Sequence, residues 1–77
     1  MQEDEITPLS AVRTGVPVVV ARLEGGEGFR SKVISMGIVP GNTVTVRSNG
    51  KRGPLVVQID GSRVGIGREL AERIMVK

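Results

Sequence analysis

The chain contains no cysteine, no histidine, no tryptophan and no tyrosine, and its one aromatic residue is Phe29. Without cysteine there are no disulfide staples, thiolate metal clusters or thiol chemistry, and nothing points to an oxidising compartment. Without histidine, any reaction would have to run on carboxylates, hydroxyls and basic groups alone. A single aromatic ring cannot build the groove that grips proline-rich peptides, nor a row of platforms on which bases stack. No stretch approaches the roughly 20 apolar residues needed to cross a bilayer. The acidic start, Glu3 to Glu5, is the opposite of a signal peptide's basic end. The expectation is a soluble, cytoplasmic chain with no leader to remove.

What is present is 77 residues, 39% of them hydrophobic and rich in valine and isoleucine. That length allows one domain with a small aliphatic core. We expect a tail over residues 1–6 and a single domain over 7–77. The net charge of +3 rests mainly on eight arginines spread along the chain, which leans toward an acidic partner surface. Nucleic acid is one such partner, but without a basic block the scattered arginines read as a solvated face. Glu3, Asp4 and Glu5 could hold a hard cation only in a fixed geometry, which a chain end does not supply, so no metal site is expected. Glu24, Glu27, Asp60, Glu69 and Glu72 form no pair with an acid/base task. No catalytic or cofactor-binding residue is assigned, and an enzyme is not expected.

Along the chain, Thr7 and Pro8 read as the cap and first residue of one short helical turn that Gly15 stops, with Leu9 and Val12 anchoring it. The β-branched run Val16 to Leu23 predicts a strand, with Pro17 near its start or at an edge. The glycines of Glu24 to Gly28 have neither the Walker nor the dinucleotide spacing and read as a connection. Phe29, Val33 and Met36, spaced i, i+4, i+7, predict an amphipathic helix over Phe29 to Met36.

The segment MGIVPGNTVTV follows. Gly37 stands where the helix needs a left-handed stop, and Ile38 can close back on the last turn. Pro40-Gly41 fits a type II turn before a strand over Thr43 to Ser48. Leu55, Val57 and Ile59 alternate in a second strand of the meander, Asp60-Gly61 makes a tight turn, and Val64 and Ile66 alternate in a third. Gly65 and Gly67 are expected to leave space for a bend or a close backbone approach, as small barrels need at corners. Arg68 to Ile74 reads as about one helical turn, with Leu70 and Ile74 on one face and a Glu69–Arg73 pair, leading to a closing strand at Met75-Val76. The fold expected is mostly β: a small, bent barrel of about five strands with one short α-helix inserted after the first.

Ile38 and Val39 are apolar residues in a turn, where exposure of at least one is expected. With the basic hairpin tip at Lys51 and Arg52 they suggest a docking edge. The candidate partner-binding residues are Met36, Ile38, Val39, Pro40, Lys51 and Arg52.

Taken together, L-S-A-V-R-T-G at Leu9 to Gly15, the valine-rich strand ending L-E-G-G-E-G-F, K-V-I-S-M-G-I-V-P-G, the V-T-V strand, I-D-G and A-E-R-I-M-V resemble the ferrous iron transport protein A (FeoA) family, from about Leu9 to Val76. The resemblance implies an SH3-like β-barrel in the cytoplasm. It also implies an adaptor or regulator, rather than a catalyst, for the membrane ferrous iron transporter that carries its own GTPase domain (FeoB). Two departures are visible. Gly65-Ile66-Gly67 stands where the family more often has Ala-Leu-Arg, which removes a basic contact at position 67, and Ile34-Ser35 stands in place of Ala-Glu. Two other readings remain: a basic barrel that binds nucleic acid, and a regulatory domain like that of metal-dependent repressors. The latter expects an upstream DNA-binding helical domain that these residues do not contain.

Overall fold

Strand formation follows the β-branched runs closely. The computed structural model describes residues 5–50 and 52–77. Its strands are β1 (Thr7–Pro8), β2 (Pro17–Leu23), β3 (Thr43–Ser48), β4 (Leu55–Ile59), β5 (Ser62–Ile66) and β6 (Ile74–Val76). Helix α1 (Glu27–Ser35) lies between β2 and β3, and the one-turn α2 (Arg68–Ala71) between β5 and β6. The strands form one antiparallel sheet in the order β1-β6-β2-β3-β4-β5.

β2 turns the corner of this sheet. Its first half, Pro17 to Val19, pairs with β3, and from Val20 onward it pairs with β6, with a register shift between Val20 and Arg22. A second shift, between Val46 and Ser48, bends β3 against β4. Such irregularities increase local twist and let a short sheet curl around its core. A bend, one of the two uses expected of Gly65, is not made there. Gly65 sits inside an unbroken β4–β5 ladder, opposite Val56.

Thr7 and Pro8 also differ from expectation. They extend the sheet edge, pairing with Val76 and Met75, and the Thr7 side chain makes no cap. Pro8 has the extended φ/ψ of −70°/148°, and the short 3₁₀ turn begins after it at Leu9. An edge position tolerates proline because its missing N–H leaves no ladder bond unmade. The helix α1 begins two residues earlier than its apolar spacing suggests, and Met36 is its C-cap.

The largest fully buried side chains are all aliphatic: Leu9, Val20, Val33, Ile38, Val44, Val46, Leu55, Val57, Ile66, Ile74 and Val76. Phe29 and Val12 join them at the margin, and no polar or charged residue is buried among the described residues. In the last helical segment it is Ala71 that is fully buried, whereas Leu70 is half-exposed and Ile74 already belongs to β6. The expected Glu69–Arg73 pair is not formed; the ion pair among the described residues joins Arg22 to Glu24 on the surface.

Candidate partner-docking surface

The helix stop behaves as a Schellman closure. The Gly37 N–H donates to the Ile34 carbonyl (2.9 Å) and the Ile38 N–H to the Val33 carbonyl (3.0 Å), with Gly37 at φ +97°. The Asn42 N–H then donates to the Val39 carbonyl (3.0 Å) across Pro40-Gly41, with Gly41 at φ +99°, as a type II turn requires. Two further bonds fasten the turn to β2: Gly41 N–H to the Val20 carbonyl and Val20 N–H to the Asn42 carbonyl. The Asn42 side chain donates back to the Gly37 carbonyl (2.9 Å), which ties the helix stop to the turn.

This geometry corrects the docking edge. Ile38 is 0% exposed, because the closure that stops the helix directs it into the core. It offers nothing to a partner in this fold. Met36 and Val39 are half-buried, Met36 packing on the core, and Pro40 is exposed. The apolar residue that α1 does present is Ile34, 45% exposed and not singled out by the periodicity.

At the β3–β4 hairpin, Arg52 is exposed, and Lys51 lies outside the described residues. The root of this loop is tied down. Asn49 donates from its side-chain amide to the carbonyls of Ser10 (3.1 Å) and Val12 (3.2 Å). Arg68, at the start of α2, donates from Nη2 to the Asn49 Oδ1 (2.9 Å) and to the Gly50 carbonyl. One guanidinium thus joins α2, the hairpin loop and, through Asn49, the 3₁₀ turn. Its Nε is buried without a hydrogen-bond partner.

Beside this junction is a cavity of about 410 Å³ lined by Gly53, Pro54, Gly67, Arg68, Glu69 and Leu70. Its walls come from the hairpin loop on one side and the α2 turn on the other, with Pro54 and Leu70 as apolar surface. Sequence reasoning missed the cavity and the Arg68–Asn49 junction. One signal was present: a cation at a helix start opposes the helix dipole, which suggests another task for Arg68. No group of three or more metal-ligating side chains occurs among the described residues, and no helix among them is long and apolar enough to cross a membrane.

Such an assembly, an aliphatic SH3-like fold with one inserted helix, defines a small, mostly β domain. The FeoA domain family model matches residues 7–77, and the chain belongs to that family. A relative from Methanocaldococcus jannaschii, carried under the provisional name Fe(2+) transport protein A, is 37% identical over 70 residues, covering 91% of this chain and 84% of the relative. A Porphyromonas gingivalis protein, named as a fusion of Fe(2+) transport protein A with the Fe(2+) transporter FeoB, is also 37% identical over 70 residues. That alignment covers 90% of this chain but 8% of the fusion. Among solved structures, a crystal structure of an iron uptake regulatory protein (FeoA) superposes with a TM-score of 0.90 at 37% identity, covering 95% of this chain and 97% of that one. The SH3-type fold is shared with a zinc-complexed FeoA of Stenotrophomonas maltophilia (TM-score 0.81, 22% identity, 92% and 89% covered). It is shared too with a manganese-dependent transcriptional repressor (TM-score 0.84, 27% identity), of which this chain spans 40%.

Proposed function

We propose that this chain is a cytoplasmic accessory protein of ferrous iron uptake that docks on the cytoplasmic part of a FeoB-type transporter and regulates it. The observation that carries this reading is the fusion relative, in which a domain 37% identical to this chain is joined to FeoB in one polypeptide. A covalent link holds two modules at high effective concentration, which is useful when they work in contact.

The docking surface in this reading is the basic hairpin tip, Lys51 and Arg52, with the adjoining cavity between Pro54 and Leu70. Met36, Val39 and Pro40 form a lesser contact, and Ile38 contributes only by holding the turn. The rooted loop supports this choice, since a loop held at Asn49 and Gly50 loses less conformational freedom on binding than a free one.

Calorimetry of the full chain against the transporter's cytoplasmic part is the test. The expected result is saturable binding that weakens about tenfold or more in a folded Lys51→Glu/Arg52→Glu variant, because charge reversal at a complementary surface adds repulsion to lost attraction. Equal binding by the variant would refute the surface, and absence of binding by the unmodified chain would refute the partner. A second reading, a regulatory domain of a metal-dependent repressor, rests on the fold likeness to the manganese-dependent protein.

A further inference from the structure

The β5 strand is an edge of the sheet, and its backbone pairing is one-sided. Asp60 (φ 52°) and Gly61 (φ 91°) form a two-residue turn with both central residues in the left-handed region, so Ile59 and Ser62 flank it as a hydrogen-bonded pair. Alternation then directs the N–H and C=O groups of Ser62, Val64 and Ile66 toward β4, and those of Arg63 and Gly65 outward. Among the described residues, no other element makes a backbone bond to β5. Arg63 and Gly65 are both exposed.

Gly65 has no task in the fold. It has no positive φ, it makes no bulge, and a Cβ built on it meets nothing within 4 Å. Glycine inside a strand weakens the strand and often marks close approach by another backbone. Arg63, alone, is the kind of charge that protects an edge from pairing.

We propose that the β5 edge pairs with the β5 edge of a second copy of this chain, antiparallel about a twofold axis at Val64. In that register Arg63 of each copy lies directly opposite Gly65 of the other, and each such pair exchanges both of its outward N–H···O bonds. The missing side chain at Gly65 gives the arginine room, and no arginine faces another. Centring the axis on Arg63 would oppose like charges, which is destabilising. Centring it on Gly65 would require pairing at Gly67, where the strand has ended and α2 begins. The edge is therefore self-complementary in one register, as an isologous twofold contact demands. The short strand makes the dimer weak and concentration-dependent.

Sedimentation equilibrium on the full chain, with charge placed at position 65, tests this. Gly65→Glu and Gly65→Lys both fill the space at position 65 but set opposite charges against Arg63 of the other copy twice, so the lysine variant is expected to dimerise at least about tenfold more weakly than the glutamate variant. Combining Gly65→Lys with Arg63→Glu restores the tighter dimer. In the unmodified chain, the Arg63 and Gly65 amides gain hydrogen-exchange protection as concentration rises, while those of Ser62, Val64 and Ile66 do not change. A chain that stays monomeric to millimolar concentration, a dimer indifferent to charge at 65, or amide protection independent of concentration would overturn the proposal.

Discussion

Gly37 and Gly41 were legible as single residues because each answers to a demand of the local backbone. A left-handed φ after a helix and another inside a Pro-Gly turn leave little choice of residue. Ile38 shows where this legibility ends. One rule expects a residue after the helix stop to fold back, another expects a turn residue to be exposed, and the closing bonds decide for burial. Gly25 was illegible as more than a connector, because its reason lies in packing: a Cβ there would run into the Phe29 ring. Gly25→Ala should therefore displace Phe29 and cost ~1–3 kcal/mol in urea unfolding, the usual penalty for overpacking. Gly37→Ala should cost ~1–2 kcal/mol by the same measurement, since the left-handed conformation is strained for any Cβ. The added carbon there would also press on Ile59 at 3.1 Å.

Among the elements, every long strand and the main helix could be read from periodicity, since β-branched alternation and i, i+4, i+7 spacing are local signals. The misreadings lie in the short elements: β1 was expected as a helical start, and the single turn of α2 is where it was expected but buries a different residue. β1 exists only because Thr7 and Pro8 meet β6 across the sheet, and α2 buries Ala71 because its one turn is set by the loops on either side. The bends at Val20–Arg22 and Val46–Ser48 are products of pairing and leave no mark in composition. The junction of α2 with the β3–β4 hairpin is likewise a tertiary feature. If Arg68 holds that hairpin through Asn49 and Gly50, Arg68→Gln should leave the sheet intact while exchange of the amides at 49–50 and 52–53 becomes about tenfold faster. That corresponds to losing ~1.4 kcal/mol of local hydrogen bonding. Unchanged exchange in the hairpin would show that Asn49 suffices.

For the whole molecule, family and fold were readable because an ordered set of motifs runs through nearly the entire chain. The candidate site was only partly readable. The basic tip at Lys51 and Arg52 is a matter of composition, whereas the cavity beside it is created by packing α2 against the hairpin loop. In the proposed docking, the charged patch would steer a partner and the shaped surface would hold it. The most direct test is amide chemical-shift mapping of the labelled chain during titration with the transporter's cytoplasmic part. Saturable shifts concentrated at residues 50, 52–53 and 67–70 are expected, with the β2–β6 region unaffected. Shifts confined to β2 and β6, or none at saturating partner, would contradict this docking surface.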